Sequence, residues 1–384
     1  MQKWEQIQGV YVHTPFCLQK CLYCDFASYA GFDMETMTKY VDAVCIEIAR
    51  RSNILPVAEQ ATLYFGGGTP SLLPEKLLAK LVEALQKNGC WRQPAEVTIE
   101  VNPGTADLAK LRFFRELGFD RISFGVQSLN DGELRAVGRI HTAREALQAV
   151  EMAERAGFTR ISADLIYGFP EQTLQTLGTS LRALVNTGLQ HLSVYGLTVE
   201  EKTPLAELVD KGKLQLPDED TQLAMYELVQ EYLAAQGLHR YEISNYAAAG
   251  QESRHNLVYW QYLPYLSFGS AACSFDGDRR FTSTAAVLDY IDGINIGKTT
   301  GAIEELTMET QLAEYLFMGL RTAAGIDLME TRQRFDCDVM LEFGSELEKF
   351  IKENLLILDD RHGRMRLTEQ GMRFSNEIFE IFVK

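Results

Sequence analysis

Cys17, Cys21 and Cys24 fall within eight residues as CxxxCxxC, while the other four cysteines, Cys45, Cys90, Cys273 and Cys337, are scattered. An odd total of seven with three clustered argues against a disulfide framework. An ordinary cubane iron–sulfur cluster takes four thiolates, so three in one loop leave one iron open to an outside ligand. An amino acid chelates such an iron through its amine and carboxylate. The competing chemistry is a structural zinc site in which the imidazole of His13 joins the three thiolates as a tetrahedral set.

Other residue types sit where they would serve a bound molecule. Gly66-Gly67-Gly68-Thr69-Pro70 lets backbone approach a ligand closely and offer carbonyls to an ammonium group; taken without the cysteines it reads as a tight turn. Glu100 in VTIEVNP, Gln127 in SFGVQS, Arg139 in GRIH and Asp164 in SADLIYGFP stand at or just beyond apolar runs. Each alone reads equally as a helix cap or a salt-bridge partner. His255, in Arg254-His255-Asn256-Leu257-Val258-Tyr259-Trp260, has aromatic neighbours that include Tyr262 and Tyr265.

These residues need a frame, and the pattern supplies one. From residue 8 to about 245, short runs rich in Val, Ile and Tyr alternate with stretches of helical period, the mark of repeated βα units and a parallel sheet. Expected strands are Gly9–His13, Thr62–Phe65, Val97–Val101, Arg121–Val126, Arg160–Ile166, Leu192–Leu197 and Tyr241–Asn245. Expected outer helices are Glu35–Arg51, Glu75–Lys87, Leu108–Leu117, Ala143–Ala156 and Asp218–Gln236. Cys45, beside Val41, Val44 and Ile48, belongs to one helical face and reads as a core cysteine. The fold class is therefore α/β: a partial (β/α)6-type TIM-like barrel over 1–245, a connecting segment over 246–304, and a smaller, mainly helical, winged-helix-like domain over 305–384. The cysteine loop follows the first strand, at the end where such barrels build their active sites.

Composition narrows the partners. Hydrophobic residues are 46% and charged residues 23% of the 384, ordinary for a globular protein. A net charge of −16 repels phosphate backbones, and the last domain carries ten basic against sixteen acidic residues, so nucleic acid is not an expected partner. Glu5 and the glutamines near the start interrupt any signal-peptide core, and the uncharged run 256–275 is broken by Gln261, Pro264 and Gly269. A cytoplasmic protein without a transmembrane segment is expected.

CxxxCxxC after a first barrel strand, with Tyr23 before the last cysteine and a glycine motif after the second strand, resembles the radical S-adenosylmethionine (SAM) superfamily. In order, Glu100, Gln127, Arg139 and Asp164 are similar to SAM-contacting positions of its coproporphyrinogen-oxidase-like branch. The resemblance implies a [4Fe–4S] cluster on Cys17, Cys21 and Cys24 with SAM on the open iron. It also implies Tyr11 near both, Gly67, Gly68 and Thr69 at the methionine part, and the four polar residues around methionine and ribose.

Within that branch two functions are implied. One is oxygen-independent coproporphyrinogen III dehydrogenase; the other is a haem chaperone that transfers haem to acceptor proteins, with transient contact to membrane-bound acceptors. The dehydrogenase type carries CxxxCxxCxC and an N-terminal extension, whereas Phe26 stands here at the fourth cysteine's place and the first strand is reached by residue 9. The segment from His255 to Trp260 resembles the HNxxYW element of the chaperone type. On that resemblance His255 is expected as an axial haem ligand, with Tyr259 and Trp260 as apolar walls.

Overall fold

The computed structural model describes residues 5–298, 301–359 and 361–383. Six strands run side by side in chain order and in parallel: β1 (Ile7–Thr14), β2 (Val57–Gly67), β3 (Val97–Val101), β4 (Arg121–Gln127), β5 (Arg160–Tyr167) and β6 (His191–Gly196). All six expected strands are present, and the α/β architecture with a partial parallel barrel is as expected. Parallel neighbours need a crossover, and helices supply it. The first, α1 (Met34–Arg51), starts where the Asp33 carboxylate accepts from the Thr36 N–H, and it buries Tyr40, Val41, Val44 and Ile48 against the sheet. The Tyr40 hydroxyl donates to the carbonyl of His13 at 2.9 Å, tying this helix to the end of β1. A capping box between Thr142 and Glu145 begins α2 (Ala143–Arg155) in the same way.

The expected seventh strand is corrected. Tyr241–Asn245 is split between two short strands, His239–Glu242 and Asn245–Ala247, which pair antiparallel with each other and, through the second, with β6. Only Ile243 and Ser244 separate them, far too few residues for a crossover, so the chain must turn back as a hairpin.

The stretch 246–304 adds four strands beyond β1. Tyr265–Phe268 pairs with β1 in parallel, and Cys273–Phe275, Arg279–Ser283 and Gly301–Glu305 follow antiparallel. Before them lies α3 (Arg254–Trp260), capped by the Ser253 hydroxyl. Helices Met308–Leu320, Leu328–Phe335 and Val339–Lys352 precede a hairpin of Leu356–Asp359 with Arg364–Leu367, around a second apolar core.

Candidate functional site

Inside the barrel, side chains alternate. Thr98 and Glu100 on β3, Arg121, Ser123, Gly125 and Gln127 on β4, Ser162, Asp164 and Ile166 on β5, and His191, Ser193 and Tyr195 on β6 all line one cavity of about 370 Å³. That falls in the range of small-molecule sites. A period of two places every second residue inward, and here most of those residues are polar. The same cavity is lined by Cys17, Cys21 and Cys24 and by Gly67, Gly68, Thr69 and Arg139.

The cysteine loop is fixed from both sides. A short parallel pair, Phe16–Cys17 with Tyr29–Ala30, closes its base, and Phe16 packs edge-on against Phe32 and Tyr40. Its flank is stitched to the segment before Arg139 by the Leu22 N–H to the Val137 carbonyl and the Gln19 amide to the Gly138 carbonyl. His13 holds the loop's far end, with Nε2 at 2.9 Å from the Ala27 carbonyl and Nδ1 at 3.1 Å from the Tyr11 hydroxyl. Burial pushes His13 below its ordinary pKa, so the ring is neutral. With both nitrogens occupied, His13 offers no fourth donor to zinc.

A polar chain joins two of the thiols. Thr69 Oγ1 donates to Cys17 Sγ at 3.7 Å and accepts from Asn102 Nδ2 at 2.7 Å; Asn102 Oδ1 accepts from Arg139 at 2.8 Å; and Arg139 Nη1 lies 3.5 Å from Cys21 Sγ. Arg139 also donates to the Gly125 carbonyl.

Glu100 and Asp164 face the cavity from the two strands that flank β4. Burial pushes Glu100 up to about 7, offset by donors from the Tyr64 hydroxyl at 2.7 Å and the Gly67 N–H at 3.1 Å. Burial likewise takes Asp164 to about 6, against hydrogen bonds from Ser193 and Ser123. Two buried carboxylates with lone pairs to spare suit a cationic amine or ribose hydroxyls. Gln127 Oε1 and Arg139 Nε are buried with no partner. Orphaned polar atoms on a cavity wall are what a polar ligand satisfies.

The glycines have a packing reason. At Gly67, φ is +110°, and a Cβ would lie 2.4 Å from the His13 ring; at Gly68 it would lie 2.8 Å from the Phe16 carbonyl oxygen. Only glycine lets the end of β2 pass this close to the end of β1.

Two expected residues lie outside the cavity wall. Tyr11 sits one layer behind, stacked on Tyr64 with ring centres 6.0 Å apart. His255 is buried, with Nδ1 at 2.8 Å from Thr62 Oγ1 and Nε2 at 2.9 Å from the Tyr259 hydroxyl. In this conformation both ring nitrogens of the expected haem ligand His255 are within hydrogen-bond distance of protein hydroxyls. His141 is also held, Nε2 at 3.1 Å from the Val126 carbonyl.

Comparisons with known proteins bear on this arrangement. The Radical SAM superfamily model matches residues 11–184, and the HemN C-terminal domain model matches 306–374. The protein named "Heme chaperone HemW" of Bacillus subtilis is 35% identical over 382 residues, covering 98% of this chain and 99% of that one. Its namesake in Lactococcus lactis is 31% identical over 376 residues, covering 98% and 97%. This chain belongs to the HemW family. The structure of coproporphyrinogen III oxidase (HemN) from Escherichia coli superposes with a TM-score of 0.85 at 22% identity, over 98% of this chain and 90% of that one, and shares the fold.

For a HemW-family barrel, the donor set fits the superfamily's cofactors: three half-exposed thiols beside a guanidinium, next to a cavity with paired carboxylates and orphaned polar atoms. Asn102 and Tyr64 are functional neighbours that sequence reasoning missed. Asn102 lies two residues beyond Glu100 and Tyr64 two before Gly66, so strand alternation was the available signal.

Proposed function

We propose that this chain is a haem chaperone of the cytoplasm, carrying haem to acceptor proteins on a barrel that holds a [4Fe–4S] cluster and SAM. The observation that carries the reading is relatedness over nearly the whole chain to proteins named as haem chaperones. Among the described residues no helix is long and apolar enough to cross a membrane, so contact with membrane-bound acceptors is proposed as transient docking.

Cys17, Cys21 and Cys24 are proposed as cluster ligands, with SAM supplying the amine and carboxylate for the open iron. Gly67, Gly68 and Thr69 border the methionine end. Glu100 accepts from the amine; Gln127, Arg139 and Asp164 take the carboxylate and ribose; Tyr11 backs the site through Tyr64. Bound SAM and cluster supply one-electron chemistry, and the chain's own part is to hold, orient and screen them. Haem ligation by His255 requires one ring nitrogen to exchange its hydrogen bond, to Thr62 or to Tyr259, for the iron, while the other keeps its own.

Oxygen-independent coproporphyrinogen III dehydrogenase is the alternative. Phe26, in place of that type's fourth cysteine, is 66% exposed beside the cavity, which favours an apolar surface there over a ligand. Anaerobically purified protein should bind haem stoichiometrically and leave coproporphyrinogen III unconverted with SAM and reductant. Robust decarboxylation without haem retention would reverse the assignment.

A further inference from the structure

The helix that carries the HNxxYW element gives Asn256 to the lining of the cofactor cavity, and its histidine lies behind that wall as part of its support. The His255 ring stacks on the Tyr64 ring, with centres 5.0 Å apart and planes 25° from parallel. Tyr64 in turn donates its hydroxyl to Glu100 Oε1 at 2.7 Å, while the Gly67 N–H holds the other carboxylate oxygen at 3.1 Å. Nothing in the ring's surroundings is loose. Its Nδ1 meets Thr62, two residues before Tyr64 on the same face of β2; its Nε2 meets Tyr259; and a Cβ on Gly9 would come within 3.3 Å of its Cε1. The backbone N–H of His255 donates at 3.0 Å to Glu96, a fully buried carboxylate that also accepts from the Arg254 N–H and pairs with Arg160 at 2.7 Å. So the ring is fixed by its own helix, by the neighbouring strands and by a buried ion pair.

We infer that His255 is a positioning residue for the SAM cavity: it seats the Tyr64 ring so that the Tyr64 hydroxyl holds the Glu100 carboxylate toward the ligand. The inference rests on the reading that this cavity takes SAM. Removing the flat ring leaves a void against Tyr64, which then tilts; the donor to Glu100 is lost and with it the fixed direction of an acceptor. A side chain that keeps a flat ring keeps the seat.

The test uses the full chain with its cluster reconstituted and measures SAM affinity by equilibrium dialysis, with iron and sulfide content and haem titration on the same samples. Tyr64→Phe deletes the hydroxyl alone, and losing a hydrogen bond to a charged group lowers affinity by about tenfold. His255→Ala is expected to give a loss of similar size, the double variant no more than either single one, and His255→Phe near wild-type SAM affinity, all with iron and sulfide unchanged. His255→Leu fills the volume without a flat ring, shows the same loss, and serves where His255→Ala does not fold. Unchanged SAM affinity in His255→Ala or His255→Leu, or additive losses in the double variant, would overturn the inference. A change confined to haem affinity and spectrum would do so as well, by making His255 a haem ligand. A wild-type protein that binds no SAM would instead sink the reading of the cavity itself.

Discussion

The cavity wall and the support behind it hold polar groups in opposite states. On the wall, Gln127 Oε1 and Arg139 Nε are buried without partners, and Glu100 and Asp164 are carboxylates with spare lone pairs and raised pKa values. Behind it, Glu96 and His255 are just as buried, yet Glu96 accepts two backbone N–H groups and pairs with Arg160, and His255 uses both nitrogens. A group left unsatisfied at a cost of about 1–3 kcal/mol persists when a ligand completes it. A saturated group is scaffold. By this contrast the His255 ring belongs with the support, while its neighbour Asn256 and the inconspicuous Asn102 line the cavity.

The largest expected effect lies in the cysteine loop. Changing any one of Cys17, Cys21 or Cys24 to Ala should abolish bound iron and sulfide, because two thiolates do not hold a cubane. Replacing Cys45, Cys90, Cys273 or Cys337 should leave both unchanged. Retention of the cluster in a triple loop variant would move the site elsewhere.

The support should respond in stability. Glu96→Ala leaves Arg160 with only the more distant Asp120 at 3.7 Å and two helix N–H groups without their carboxylate, and breaking a buried pair costs about 3–5 kcal/mol. A large fall in the melting temperature is expected; a shift within error would show that the region is less tightly built than its geometry.

Asn102→Ala should act on the wall, lowering SAM affinity about tenfold as Arg139 loses the acceptor that aims it, with the fold intact. Equal losses of SAM affinity and thermal stability would erase the distinction between the two layers.

The smallest effect is on pH. Glu100 titrates near 7 in the folded chain against an ordinary 4.5, and Asp164 near 6 against 3.8, so the native state binds these protons more tightly than the unfolded one. Their contribution is full at low pH and is lost as pH rises through about 6 to 7. Unliganded protein under reducing conditions should therefore lose on the order of 1 kcal/mol between about pH 5.5 and 8, and Glu100→Gln should shrink that difference. An unchanged pH profile in Glu100→Gln would place the titration on another group.

Much of this fold was legible in the sequence. Period-two runs such as VTIEV and HLSVYG announce strands, and the helical spacing of Val41, Val44 and Ile48 announces the face that α1 buries. The inward polar stripe was present too, in Ser162 and Asp164 or His191 and Ser193, but it emerges only when neighbouring strands are set in register. Tyr241–Asn245 misled because strand propensity is blind to direction, which the two-residue turn at Ile243 and Ser244 decides. The hydrogen-bond partners of His255 were not legible, because a histidine among aromatics looks the same whether its nitrogens are free or filled. Thr62 lies 193 residues away, and only the fold brings it to that ring.

The cluster and its open iron are tested by the electron paramagnetic resonance of the dithionite-reduced, anaerobically purified protein, recorded before and after SAM is added. A three-thiolate [4Fe–4S] centre with an open iron gives a reduced-cluster signal whose g-values shift when SAM binds, and the shift weakens in Arg139→Ala. A protein without sulfide, or a cluster signal indifferent to SAM, would contradict this assignment.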